Sequence, residues 1–231
     1  MSHRLQDIEF PALVLDTSNP TIFCGLLQGP EAWLAQVRRE GVALENLFPV
    51  VSQTFAQSRS KLANIESFIY CEGPGSVLGL RLAAMALQTW QELAAQTPKF
   101  YAYNGLQMTA QALQKQTNCS DALLISDWKK NAWNAAYIEA GIIRANDVVD
   151  DSALEDYPHP VYHLPQRKGW QKPPPQATTL SYDPAALINL SSLEGLLRAT
   201  DRVELAQTAA NTFAKWTPER HRAPQANTPA T

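Results

Sequence analysis

The segment at residues 73–81 constrains this chain most, because three glycines and a proline lie where an apolar strand gives way to a helix. Its residues are Gly73, Pro74, Gly75, Ser76, Val77, Leu78, Gly79, Leu80 and Arg81. Residues 65–71 before it are apolar, aromatic and β-branched, which is typical of a buried strand. After it, apolar residues recur at helical spacing to about residue 95. The sequence therefore predicts a strand, a tight corner and a helix with Ser76 as its N-cap.

Two interpretations of this corner stay open from the local pattern. Glycine adopts backbone conformations that other residues avoid, and proline stiffens the turn. In the first interpretation, the free amides at the helix start bind an anion, and Arg81 adds a charge-assisted contact. In the second, the glycines only allow the helix and its neighbours to pack closely.

The composition indicates a globular protein with a sizeable core, because 45% of the 231 residues are hydrophobic and 18% are charged. A net charge of -3 argues against a broad basic face that grips nucleic acid. The three cysteines, Cys24, Cys71 and Cys119, lie far apart in the sequence and indicate reduced thiols without a metal or redox motif. No apolar run is long enough to span a bilayer and no signal-peptide pattern is present, so we expect a cytoplasmic protein without membrane contact.

The first part of the chain predicts one α/β lobe, residues 1–105. Three strands at 12–15, 21–27 and 32–37 form an antiparallel meander, with Asn-Pro and Gly-Pro turns between them. A helix follows at about 43–58, with Pro49 either in its first turn or at a kink. The remaining predicted elements are the strand at 65–71, the helix at 76–95, a strand at 100–103 and a helix at 105–116.

A second, smaller lobe is predicted at residues 106–216, because the strand pattern restarts at 121–127 and continues at 132–139. Residues 157–184 are rich in proline and are predicted to be mostly loop, with Arg167, Lys168 and Lys172 on a solvated linker. The last helical pieces are predicted at 193–197 and 203–213. The tail at 217–231 is predicted to be flexible.

In the order of these elements, and in two motifs, the chain resembles the TsaB family, also called YeaZ, over about residues 10–215. The first motif is the apolar strand that ends in Asp16, Thr17 and Ser18. The second and more specific one is the glycine corner, which in the family reads Gly-Pro-Gly-Ser-Phe-Thr-Gly-Leu-Arg and here has Val77 and Leu78 in place of Phe-Thr. The resemblance implies an actin-like α/β fold of two lobes, related to sugar kinases and to the glycoprotease-named TsaD proteins.

The resemblance also implies a function as a non-catalytic partner subunit. TsaB-like proteins bind a TsaD-like catalytic subunit and, with a TsaE-like ATPase, form the complex that adds threonylcarbamoyl to N6 of the adenosine next to the tRNA anticodon. Alone they often form a homodimer, and they meet tRNA only through the complex. No cofactor, metal or catalytic residue is expected in such a subunit.

In the family the contact surface is formed by the first two helices, here at about 43–58 and 76–95. The residues expected to contact the partner are Leu44, Leu47, Phe48, Val51, Val77, Leu78, Arg81 and Met85. Gly73, Pro74, Gly75, Ser76 and Gly79 are expected to form the structural turn. A His-Ser pair that the family carries is replaced by Ala43 and Leu44, which makes this surface more apolar. The alternative, that some of these side chains face the core of their own lobe, stays open.

The residues that an enzyme of this fold would need are largely missing. The two hairpins that cradle phosphates in actin-like ATPases begin here at Asp16 and Asp127, and neither contains glycine. Asp16 therefore caps its turn or, less simply, ligates a cation. His159 and His163 have a metal-site spacing, but the neighbouring prolines exclude the helix that would pair them. Ser76 lacks the sequence context of a nucleophile.

Two other functional classes remain as alternatives. The first is a stand-alone enzyme of the same fold, either a small-molecule kinase or ATPase or a glycoprotease-like peptidase. The second is a chaperone-like homodimer whose apolar helices bind a different protein.

Overall fold

The computed structural model describes residues 2–94, 96–166 and 171–206, and in this part of the chain two β-sheets are present. The strands are β1 (Ser2–His3), β2 (Ala12–Asp16), β3 (Thr21–Gly29), β4 (Ala32–Glu40), β5 (Ser67–Gly73), β6 (Lys99–Asn104), β7 (Ala122–Lys129), β8 (Ala132–Glu139), β9 (Ile142–Asp150), β10 (Val161–Leu164), β11 (Thr178–Thr179) and β12 (Leu197–Thr200). The helices are α1 (Ala43–Ser58), α2 (Val77–Leu93), α3 (Gly105–Thr117) and the single turn α4 (Asp151–Leu154). Short 3₁₀ helices lie at Leu5–Asp7, Leu62–Asn64 and Pro184–Leu190.

The first lobe is built on a seven-stranded sheet with the order β1-β12-β6-β5-β2-β3-β4. Strands β2, β5 and β6 are parallel, so their carboxyl ends meet at one edge. Strands β3 and β4 extend the sheet as the antiparallel meander that the sequence predicts. Strand β12 pairs with β6, so the first sheet also draws on the C-terminal part of the chain.

The two faces of this sheet are covered by different helices, and successive residues of β2 point alternately to one face and the other. Leu13 and Leu15 pack into the core beneath α1 and α2, whereas Ala12 and Val14 belong to the core on the opposite face. That opposite core also holds Met108 of α3 together with Leu187 and Leu190 of the 3₁₀ helix. A strand that is buried on both faces is apolar at every position, as β2 is up to Asp16.

The second lobe is built on a five-stranded sheet with the order β11-β10-β7-β8-β9. Its inner face packs on α3 through Leu124 and Ala136 against Leu106 and Ala110. Since Met108 of the same helix packs on the first sheet, α3 lies between the two lobes. The interlobe cleft therefore lies at the N-terminal end of α3, next to the carboxyl ends of β2, β5 and β6.

Several expected elements need correction. Val161–Leu164 is a strand inside the segment predicted to be loop, and Ile142–Asp150 is a strand that the sequence pattern did not indicate. In place of the helix predicted at 193–197, residues 193–196 form a turn and Leu197 begins β12, and no helix begins at 203 within the described residues. Pro49 lies inside α1, past its first turn. Residues 207–213 and the tail at 217–231 lie outside the described residues.

Candidate functional site

The outer surface of α1 and α2 exposes large apolar side chains that have no cover in the chain as described. The exposed fractions are 68% for Leu44, 62% for Phe48, 53% for Val77, 62% for Leu78 and 66% for Met85. We call these five residues the α1–α2 face. Single exposed apolar side chains are common on protein surfaces, but a contiguous group of them is typical of a protein contact.

A shallow groove of about 310 Å³ runs between the two helices within this face. Leu44 and Phe48 line it from α1, and Leu82 and Met85 line it from α2. The Phe48 ring meets the Trp90 ring edge to face, with 6.3 Å between their centroids, so the exposed ring is held in place. The Thr89 hydroxyl at the groove donates to the Met85 carbonyl oxygen at 2.8 Å. The groove is therefore suited to an apolar side chain of a partner.

Two of the residues predicted to contact the partner are largely buried in the single chain. Leu47 is only 2% exposed and Val51 only 6%, because both pack from α1 into the core against the first sheet. Leu47 also lines the groove, and contact of either residue with a partner stays a prediction. The sequence showed one apolar stripe on α1. The structure divides it into an inner row, Leu47 and Val51, and an outer row, Leu44 and Phe48. Arg81 is exposed on α2 beside the face.

The glycine corner lies directly against the β2–β3 turn. A Cβ atom on Gly75 would lie 2.3 Å from the Ser18 carbonyl oxygen, and one on Gly79 would lie 2.3 Å from the Thr17 carbonyl oxygen. Real Cβ atoms do not approach backbone oxygens so closely, so only glycine fits at both positions. Gly73 has a φ of 127°, which other residues rarely adopt.

Two backbone amides at the start of α2, those of Ser76 and Gly79, are used inside the corner. The Ser76 amide donates to the Ser18 carbonyl at 2.7 Å, and the Gly79 amide donates to the Ser76 hydroxyl at 3.2 Å. Ser76 is thus the N-cap, as the sequence predicts. Close packing accounts for the glycines at 75 and 79, and the interpretation of the corner as an anion site stays a prediction. The corner fixes the start of α2, and therefore the position of Val77 and Leu78.

The interlobe cleft is closed around Asp16, which lies at the carboxyl end of β2 and is fully buried. Its Oδ1 atom accepts from the Ser18 amide at 2.8 Å and from the Ser18 hydroxyl at 2.6 Å. The prediction that Asp16 caps its turn is therefore confirmed. Its Oδ2 atom accepts from the Tyr103 and Tyr182 hydroxyls, each at 2.5 Å. Both carboxylate oxygens thus have two protein donors each.

Burial and the nearby Asp16 charge raise the pKa of Tyr103 and Tyr182 well above the ordinary value for a phenol. Both hydroxyls therefore remain protonated and donate to the carboxylate. The same two causes raise the pKa of the Cys71 thiol, whose Sγ atom lies 3.8 Å from the Tyr182 hydroxyl. Burial raises the pKa of Cys24 to about 12. Both cysteines are thus neutral core residues, in agreement with the sequence prediction of buried thiols.

In the second lobe, Asp127 lies at the end of β7, where its carboxylate accepts from the Gln166 amide at 3.2 Å. His163 is a buried residue of β10, with its Nε2 atom 3.7 Å from Asp127 and its ring edge-on to Trp133. His159 precedes that strand, and its ring contacts the Tyr157 ring in a T-shaped arrangement. The two histidines are therefore not on one helical face, as the prolines led us to expect.

Within residues 2–94, 96–166 and 171–206, no group of three or more His, Cys, Asp or Glu side chains is arranged to hold a metal ion. In the same residues, no helix has the length and apolarity needed to cross a bilayer.

Several residues of the interlobe cleft and of the groove in the α1–α2 face were not identified from the sequence. Tyr182 reaches Asp16 from 166 residues away, and nothing in the proline-rich segment around it indicates that contact. Asn104 donates from the first lobe to Asn146 of the second at 2.7 Å, while its Oδ1 atom caps α3 by accepting from the Gln107 amide. The cap could have been found, since Asn commonly precedes a helix. Trp90 lines the groove and lies on the apolar stripe of α2, and the sequence does not tell which residues of that stripe line the groove and which lie in the core.

No protein-family model matches the chain, and no curated protein sequence matches it either. Among solved structures, it is similar to YeaZ from Pseudomonas aeruginosa, with a TM-score of 0.57 and 18% identity over 78% of this chain and 89% of that one. It is also similar to a second structure from Pseudomonas aeruginosa, described as an uncharacterized protein with similarity to peptidase YEAZ. That match has a TM-score of 0.54 and 19% identity over 78% of this chain and 88% of the other.

These similarities confirm the fold expected from the sequence in its YeaZ-type form, an α/β fold built on two sheets. Because the identities are low, the similarity concerns the fold, and the function must be argued from the residues of this chain.

Proposed function

We propose that this chain is a TsaB-type partner subunit, without catalytic residues of its own, in the cytoplasmic complex that adds threonylcarbamoyl to N6 of the adenosine next to the tRNA anticodon. The α1–α2 face binds a TsaD-type catalytic subunit, and a TsaE-type ATPase completes the complex. Without that partner, two copies of the chain pair through the same face. Transfer RNA is met only through the complex.

The observation that carries this proposal is the exposure of the α1–α2 face. Five large apolar side chains on two neighbouring helices lie in water in the isolated chain, together with a groove in which the Thr89 hydroxyl is already satisfied. Burying such a face on a partner is favourable by roughly 25 cal/mol for each Å² of apolar surface. An interface with an apolar centre and a polar rim, here with Arg81 at its side, is the common form of a stable protein contact.

The state of the interlobe cleft also supports a partner role. Actin-like enzymes bind phosphates in this cleft with bare backbone, whereas here the Asp16 carboxylate is covered by two tyrosine rings. Asp16 is thus used inside the fold and is not open to a substrate.

The test is a reconstituted reaction with the TsaD-type and TsaE-type proteins of the same organism, a tRNA that carries the target adenosine and the threonylcarbamoyl donor. We expect modified nucleoside only when this chain is present, and a complex of this chain with the TsaD-type subunit in size-exclusion chromatography. If that subunit neither binds the chain nor needs it for the modification, the proposal is wrong. Phosphate release from ATP by the chain alone, lost on Asp16→Ala, would favour the enzyme alternative.

A further inference from the structure

Residues 178–190, which we call the strap, cross from the second lobe to the first. The strap begins on the second sheet, where Thr178 and Thr179 pair in parallel with β10 and the Leu180 amide donates to the His163 carbonyl at 2.9 Å. It ends beneath the first sheet, where Leu187 and Leu190 are buried in the core. The strap therefore has a firm attachment in each lobe.

Between these two attachments, Tyr182 enters the interlobe cleft. Its hydroxyl donates to Asp16 of β2 at 2.5 Å. Its ring lies against the start of α3, where a Cβ atom on Gly105 would come within 3.2 Å of the hydroxyl oxygen. The absence of a side chain at Gly105 thus leaves the space that the tyrosine fills.

Two weaker contacts on the first lobe follow directly after Tyr182. The Asp183 carboxylate pairs with the Arg38 guanidinium of β4 at 2.7 Å, with both side chains about half exposed. The Trp33 indole donates to the Ala185 carbonyl at 3.4 Å. Exposed ion pairs contribute little, whereas a buried hydrogen bond to a carboxylate is among the stronger ones, so the Tyr182 contact dominates this part of the strap.

We propose that the strap is a latch that holds the two lobes closed over Asp16, and that the hydrogen bond from Tyr182 to Asp16 is the contact that keeps it shut. The latch has two consequences. It keeps cations and phosphate groups from the Asp16 carboxylate, and it makes both lobes a single rigid support behind α1 and α2. Because the pKa of Tyr182 is raised well above its ordinary value, the donor is not lost at ordinary pH.

The test is amide hydrogen exchange of the full chain, with Tyr182→Phe compared with Tyr103→Phe. Both changes remove one hydroxyl from the same Oδ2 atom of Asp16. Tyr103 and Asp16 both belong to the first sheet, however, so only Tyr182→Phe removes the hydrogen bond that joins the strap to Asp16. We expect Tyr182→Phe to raise the exchange rates of strap amides, such as those of Leu180 and Ala186, by about tenfold or more, and Tyr103→Phe to leave them within about threefold of wild type.

Unchanged exchange of the strap in Tyr182→Phe would overturn the proposal, and so would an equal increase in both variants. If Tyr182→Phe does not fold, exchange of the wild-type chain in low denaturant provides the answer. The latch predicts that strap amides and the Gln107 amide at the start of α3 open together in one cooperative step. Opening at clearly different denaturant concentrations would contradict it. This experiment involves no TsaD-type subunit, so its outcome is independent of the proposed function.

Discussion

The α1–α2 face and the interlobe cleft contain opposite arrangements of side chains. On the face, Leu44, Phe48 and Met85 are exposed although they are apolar. In the cleft, a carboxylate is fully buried, although burial of a charge is costly, and four hydrogen bonds from Ser18, Tyr103 and Tyr182 compensate for it. The Asp16 carboxylate is thus fully hydrogen-bonded within the chain, whereas the face has no cover among the described residues. This difference is what supports placing the proposed function on the helices instead of in the cleft.

The largest expected effect separates the two rows of α1. Leu47→Asp places a charge in the core and is expected to destabilise the fold by about 4 kcal/mol or more. Leu44→Asp, in the first turn of the helix and exposed in the single chain, is expected to change the stability of the monomer by less than about 0.5 kcal/mol. The measurement is urea unfolding followed by circular dichroism. Equal losses in the two variants would show that Leu44 is part of the core and that the face is smaller than described.

The second prediction tests whether the hydrogen bonds of Asp16 in the cleft stabilise the fold. Asp16→Ala leaves two buried phenols and the Ser18 hydroxyl without their acceptor, and we expect a loss of roughly 3 kcal/mol in the free energy of unfolding. Asp183→Ala removes a carboxylate from an exposed ion pair and from the amide of Ala185, and it is the matched control, with an expected loss of about 1 kcal/mol. If Asp16→Ala proved neutral or stabilising, Asp16 would be kept for a ligand and not for the fold.

The third prediction concerns the corner that sets the position of the face. Alanine favours a helix over glycine by about 1 kcal/mol, yet at Gly79 its Cβ would meet the Thr17 carbonyl oxygen, so we expect Gly79→Ala to cost roughly 2 kcal/mol. Gly29→Ala is the control, because no atom lies within 4 Å of the added Cβ there. Thermal unfolding of both variants decides the point. A Gly79→Ala variant as stable as Gly29→Ala would mean that the close approach does not constrain α2.

The sequence predicted the first lobe well, because its signals are local. Short apolar runs and two proline-containing turns indicate strands β2 to β4, and the glycines with Ser76 indicate the start of α2. Strand β9 was not found, since Ile142–Asp150 lies at the edge of the second sheet and most of its residues are at least partly exposed. Strand β10 was hidden by the prolines at 158 and 160, which precede it and do not enter it.

The functional regions were predicted only in part, for a different physical reason. Helical spacing identifies the apolar residues of α1, but it does not tell which of them face the sheet, and so the buried Leu47 and Val51 were not distinguished from the exposed Leu44 and Phe48. Tyr182 was not found because its role comes from a contact across the whole fold. Asp16 was correctly interpreted as a cap, since an Asp at a strand end followed by Thr-Ser has a local explanation.

The most direct test of the account is the affinity of the chain for the TsaD-type subunit of the same organism, measured by calorimetry with the double variant Val77→Glu, Leu78→Glu. Both side chains are exposed on α2 in the single chain, so the variant is expected to fold and to keep the wild-type far-ultraviolet circular dichroism spectrum. Two charges buried in an apolar interface are expected to weaken binding by about 100-fold or more. Wild-type affinity in a folded double variant would show that the partner binds elsewhere and would contradict the account.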